Sequence, residues 1–274
     1  MDRRAIIGMG LLLLMVGSVS AVNSEYNMTA FVGNSPPLIV SIPPIGAQNP
    51  VQANVTPVPV NFTACDNNLV ADLNGTSAQC SFVNGITTRS STSCSGTPVN
   101  TTCVGYTCTV NMEYYDVPGL WTPRCVISDI GGPTSTGLIN GTDMTYNSLL
   151  AVSLDKNTIN FGVITLGIMQ PAVNNPLGLI NEGNVLVANI SLKGYDLNSG
   201  PNAIVAGRFN TTSVDVPTSS FFMINDTYMQ FASLNLPVGF GSTRTFGFYL
   251  DAPVATPIGA YNSDLHPWVM YTEA

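Results

Sequence analysis

The chain has 274 residues and a formal net charge of −8, yet only 9% of its residues are charged, against roughly a quarter in ordinary soluble domains. Apolar residues make up 45%, which excludes disorder from poverty of hydrophobes and leaves length for one large domain or two smaller ones. Eight Lys and Arg supply no patch able to neutralise a run of phosphates, which excludes nucleic acid and an anionic membrane surface as partners. Polar character comes instead from 27 Asn, 27 Thr and 23 Ser.

The first element is a secretory signal. Arg3 and Arg4 form its positive end, Ala5 to Val16 its apolar run, and Val19 and Ala21 suit the −3 and −1 positions of signal peptidase. Cleavage after Ala21 divides the chain into residues 1–21 and a mature part, and the apolar run is short of the roughly 20 residues that would anchor it in a bilayer. No membrane span is expected in the mature part. Tyr26, Met28, Ala30 and Val32 then alternate with Asn27 and Thr29 ahead of Pro36-Pro37, the pattern of a strand.

Period-2 alternation bounded by Gly, Pro, Asn and Asp recurs from here on, and helix signals are nearly absent, so the fold class is all-β. Val58, Val60 and Phe62 share one face of a strand that Pro57 and Pro59 assign to a sheet edge. Ala78, Cys80 and Phe82 form the next. Tyr106, Cys108, Val110, Met112 and Tyr114 form the clearest strand. A turn at Asp116-Val117-Pro118-Gly119 leads to Trp121, Cys125 and Ile127, which reads as a hairpin. A turn-rich stretch from Gly131 to Asn147 precedes a new series: Ile159, Phe161 and Val163; Leu186, Ala188, Ile190 and Leu192; Phe246, Phe248 and Leu250. Short strands at this spacing predict two β-sandwiches, a Cys-rich one over 22–150 and a Cys-free one over 151–274.

Cys65, Cys80, Cys94, Cys103, Cys108 and Cys125 are an even set in a secreted chain, so disulfides are expected and thiolate metal ligation is not. Cys108 and Cys125 could bridge each other or reach the opposing sheet, Cys80 suits an inter-sheet bond, and Cys94 and Cys103 could close a local loop. N-x-S/T sequons stand at Asn27, Asn54, Asn61, Asn74, Asn100, Asn140, Asn189, Asn210 and Asn225, making glycans possible surface partners.

Asp66, Asn68 and Asp72 offer oxygen ligands suited to Ca²⁺. Val70 occupies a position where an EF-hand wants a ligand, and Asx turns explain the same residues with no metal. No other cofactor is implied. His266 is the only His and has no nucleophile pattern around it. Glu113, Asp116, Asp129 and Glu182 include no pair that sequence brings to glycosidase spacing.

The runs Gly33-Asn34-Ser35-Pro36-Pro37-Leu38-Ile39, Val60 to Asn68 with Asp72-Leu73, Tyr106 to Asp116 and Gly119-Leu120-Trp121-Thr122 resemble the immunoglobulin-like sandwich domains of archaeal secreted surface proteins. Ile159-Asn160-Phe161-Gly162, Asn175-Pro176-Leu177, Asn181-Glu182-Gly183-Asn184, Gly194-Tyr195-Asp196-Leu197, Phe248 to Pro253 and Pro257 to Tyr261 are similar to a second immunoglobulin-like class in such proteins. The resemblance implies tandem sandwiches outside the cell and carries over no catalytic residue. Acidic-loop variants of these domains often have Gly after Asn, where Leu69 stands here.

The expectation is a non-enzymatic structural or adhesive protein of the cell surface or envelope, with copies of itself or other envelope proteins as partners, and a filament subunit if the segment from Tyr26 to Val32 pairs with a sheet edge of a neighbour. The alternatives are a carbohydrate- or protein-binding module, favoured by exposure of Tyr114, Tyr115 and Trp121, and a secreted glycoside hydrolase.

Overall fold

Residues 26–91, 93–137, 139–213, 220–222, 228–231 and 234–273 are described by a computed structural model. Residues 1–21, where a signal is expected, and Asn225 lie outside these residues. The chain divides into two compact units, Met1–Asn34 and Ser35–Ala274. In the first, residues 26–34 carry no strand, and Tyr26, Met28, Phe31 and Val32 are exposed.

The second unit is all-β. Its first part comprises β1 (Leu38–Ser41), β2 (Thr56–Cys65), β3 (Leu73–Asn84), β4 (Thr87–Ser90), β5 (Cys94–Pro98), β6 (Cys103–Met112), β7 (Gly119–Asp129), β8 (Thr136–Gly137) and β9 (Met144–Tyr146). They form two sheets, ordered β5-β6-β2-β1-β8 and β4-β3-β7-β9. The inward parity of each sheet fills one core, with Val58, Val60, Phe62, Cys80, Phe82, Cys108, Val110, Met112, Trp121, Cys125 and Ile127 essentially inaccessible. This is the apolar-in, polar-out alternation of a two-layer sheet packing.

The hairpin expected around Asp116 is not formed, because β6 and β7 belong to different sheets. After Met112, Asp116 Oδ2 accepts a hydrogen bond from the Glu113 amide at 2.7 Å, and the chain arches over the core to deliver Trp121 from the opposite side. Two strands facing each other across a core show the same parity as two paired in one sheet, so alternation could not separate the cases. Nor is β2 an edge strand, since it lies between β6 and β1. Pro57 and Pro59 are nevertheless in its half-open stretch: β6 pairs its whole length, whereas β1 reaches only Thr63 to Cys65.

The second part comprises β10 (Val152–Leu154), β11 (Met169–Pro171), β12 (Leu177–Asn181), β13 (Asn189–Lys193), β14 (Leu197–Ser199), β15 (Asn202–Ile204), β16 (Phe209–Ser213), β17 (Ser220–Phe222), β18 (Tyr228–Phe231), β19 (Thr243–Asp251) and β20 (Val269–Glu273). The main sheet runs β10-β12-β19-β16-β17 with β11 also on β19, and a smaller one runs β18-β13-β20. A separate core includes Leu179, Val187, Ile190, Phe209, Leu236 and Phe246. Phe246, Phe248 and Leu250 point inward as expected. Ile159, Phe161 and Val163 form no strand, because Gly162 turns at φ +63° with its amide on Asn160 Oδ1, and Val163 is fully exposed. Leu186 also faces out, since Val187 takes the buried place before β13 begins.

Candidate functional site

The loop from β2 to β3 carries the chain from one sheet of the first sandwich to the other. Asp66 directly follows β2, and its amide donates to Thr102 O at 2.8 Å. Its Oδ1 accepts the Asn68 amide at 2.5 Å, an Asx turn of the kind the sequence suggests. Leu69 then adopts φ +80°, and a single 3-10 turn, Val70–Asp72, leads into β3. Asp129 ends β7 in register with Leu73, and the Ile130 amide donates to Asp72 O at 2.8 Å.

This geometry places carboxylate oxygens of Asp66, Asp72 and Asp129 within 4.8 Å of one another. Asp66 and Asp129 are 1% and 2% exposed, while Asp72 is half-buried. Asp66 Oδ2 is buried with no hydrogen-bond partner, and no ion pair involves Asp66 or Asp72 among the described residues. Ionised carboxylates at this separation repel by roughly 3 kcal/mol per pair at an effective dielectric near 20. An arrangement of hard oxygen donors suits Ca²⁺ or Mg²⁺.

Of the expected ligands, Asp66 and Asp72 come together, while Asn68 is engaged elsewhere through its side-chain oxygen. Asn68 Oδ1 instead accepts hydrogen bonds from the Ser35 amide at 3.0 Å and the Ser35 hydroxyl at 2.8 Å. Asp129 enters from a strand 57 positions downstream of Asp72 in the chain, a proximity that depends on how β7 pairs with β3.

The cysteines form Cys65–Cys103, Cys80–Cys125 and Cys94–Cys108. Each pair is a direct register partnership between neighbouring antiparallel strands: β2 with β6, β3 with β7, β5 with β6. All three bonds are therefore within a sheet. Cys80 makes no inter-sheet bond, Cys108 and Cys125 do not bridge each other, and Cys94 and Cys103 do not close a local loop. Register partners on adjacent strands lie on the same face of the sheet, so each cysteine meets its neighbour there, inward for Cys80–Cys125 and Cys94–Cys108 and on the outer face for Cys65–Cys103.

Among the sequons, Asn27, Asn54, Asn61, Asn100 and Asn140 are exposed, Asn74 and Asn189 are half-buried, and Asn210 on β16 is 7% exposed. Asn100 Oδ1 is engaged in its turn, accepting from the amides of Thr102 and Cys103. Trp121 is buried and its Nε1 donates to Val117 O at 2.9 Å. Tyr114 is buried too, which raises its hydroxyl pKa by desolvation. Of the expected aromatic cluster, Tyr114 and Trp121 are thus withdrawn into the fold, and half-buried Tyr115 packs edge-on against Phe240.

Three of the four carboxylates weighed for glycoside hydrolysis, Asp116, Asp129 and Glu182, have other engagements. Asp116 is held bidentately by Arg89, which raises the arginine pKa chiefly through that hydrogen bond. Glu182 accepts from Gln52 and Ser153, and Asp129 belongs to the acidic cluster. His266 is exposed and stacks on Tyr195.

No protein-family model matches the chain, and no curated protein matches it. Similar solved structures include the secreted serine protease VesC from Vibrio cholerae, at 11% identity and TM-score 0.21, covering 86% of this chain and 51% of that one. This chain thus corresponds to about half of the protease. A chaperone–tip adhesin complex of CFA/I fimbriae matches at 9% identity and TM-score 0.33, over 90% of this chain and 86% of the other. The C-terminal domain of the Streptococcus agalactiae AgI/II polypeptide BspA matches at 10% identity and TM-score 0.20, over 80% and 91%. At these scores none of them carries an activity or a partner to this chain.

Proposed function

We propose that the chain is a non-enzymatic extracellular structural protein, two β-sandwich domains meeting near residue 150, that assembles with copies of itself at the cell surface. The observation that carries this reading is the segment Tyr26 to Val32. It has the alternation of a strand, forms none, and exposes Tyr26, Met28, Phe31 and Val32. Seven residues would span about 23 Å as a strand at roughly 3.3 Å per residue, enough to add to an open sheet edge of a second copy. Three disulfides support an oxidising, extracellular setting, and an outward face rich in Thr, Ser and Asn supports a surface role.

Deleting Val22 to Gly33 from the mature protein tests the reading. Native mass spectrometry and negative-stain imaging are expected to show linear multimers for the intact protein and monomers for the deletion. An unchanged oligomeric state would sink it.

A further inference from the structure

We propose that Asp66, Asp72 and Asp129 form a calcium-binding site that clamps the two sheets of the first sandwich at one end. Two independent observations meet here. Three carboxylates converge within 4.8 Å, the spread allowed to oxygens that share one ion at about 2.4 Å each. Within that group Asp66, 1% exposed, has an Oδ2 with no hydrogen-bond partner. A buried acceptor is ordinarily satisfied, and a cation satisfies it while neutralising the mutual repulsion of the cluster.

The donor set selects the ion. Every cysteine is in a disulfide, so thiolate is not on offer to soft metals. Magnesium holds its waters tightly and is usually bound through one or two carboxylates, whereas calcium accepts several carboxylates and completes its shell with carbonyls and water in a flexible geometry. Two buried carboxylates and one half-exposed carboxylate fit the second pattern.

The position gives the site a purpose the disulfides do not serve. Asp66 extends from β2 in the five-stranded sheet, whereas Asp72 leads into β3 and Asp129 ends β7 in the four-stranded sheet. All three disulfides lie within sheets, so the ion supplies the cross-link between them.

Titrating the disulfide-intact full chain with CaCl₂, after chelator treatment and dialysis, tests this by calorimetry and by thermal unfolding. One equivalent of Ca²⁺ is expected to bind with Kd of roughly 10⁻⁴–10⁻³ M, as for other extracellular modules, and to raise the unfolding midpoint by several degrees. MgCl₂ should bind at least tenfold more weakly. Asp72→Asn, at the half-exposed ligand, should fold and lose at least tenfold in Ca²⁺ affinity, whereas Asp155→Asn, in the second half, should bind as the parent does. Absence of saturable Ca²⁺ binding by the parent protein, or unchanged affinity in a folded Asp72→Asn, would overturn the site.

Discussion

Leu69 adopts φ +80° and ψ 160°, a region essentially reserved for glycine, and holding a side chain there costs about 1–3 kcal/mol. The side chain is 53% exposed, so it returns little of that cost in packing. Leu69→Gly is therefore expected to stabilise the protein by about 1 kcal/mol, the relief exceeding the added freedom of the unfolded glycine. Leu69→Ala should give no such gain, because alanine keeps the Cβ. Guanidinium unfolding of both variants checks this, and equal stabilities would remove the strain argument. The residues of this loop also mark how far the acidic site was legible. Asp66 and Asp72 are visible as oxygen donors from the sequence alone. Asn68 has the same chemistry, but its Oδ1 is taken by Ser35, which no local spacing announces. Asp129 becomes a neighbour only through the β3–β7 register, where an irregularity lies between Asn74 and Gln79.

Alternation identified which residues of a strand face the core, as at Tyr106, Cys108, Val110 and Met112, all buried. It could not identify which strands are neighbours, since paired and opposed strands bury the same parity, and the supposed hairpin across Asp116 failed for that reason. The disulfides depend on the missing information. Once β3 is known to pair with β7, Cys80 stands opposite Cys125, and β5 with β6 sets Cys94 opposite Cys108. These bonds differ in the chain they close, with sequence separations of 45 and 14. Loop-closure entropy then predicts a loss of about 4 kcal/mol for Cys80→Ala with Cys125→Ala and about 3 kcal/mol for Cys94→Ala with Cys108→Ala. Cys80 and Cys125 are also buried in the core while Cys94 is partly exposed, so packing widens the gap in the same direction. Equilibrium unfolding in guanidinium measures it, and a reversed order would contradict the assignment of both terms.

Across the whole molecule, the first core ends at Tyr146 and partly buried Val152 already packs on the second, so the segment between them decides how firmly the two parts of the second unit are joined. That segment is held by Asn181-Glu182-Gly183-Asn184. The Leu149 amide donates to Asn184 Oδ1 at 2.6 Å, Asn184 Nδ2 donates to Asn147 O at 2.9 Å, and the Glu182 amide donates to Ala151 O at 2.9 Å. Glu182 also receives Gln52 Nε2 at 2.6 Å, tying the same loop to the first part. Gly183 is what lets the two backbones meet this closely, since a Cβ there would stand 2.1 Å from Leu149 O and 2.9 Å from the Ala151 amide nitrogen. Both obstacles are backbone, so the clash cannot be relieved by turning a side chain. Gly183→Ala must displace the joint, at a cost on the order of 1–3 kcal/mol, whereas Gly85→Ala, with nothing near its Cβ direction, pays only for its φ of +57°. The displacement should be local to the joint. Limited proteolysis between Tyr146 and Val152 is therefore expected to accelerate in Gly183→Ala and not in Gly85→Ala. Equal cleavage rates in the two variants would mean that the asparagine-rich loop does not hold the two parts together.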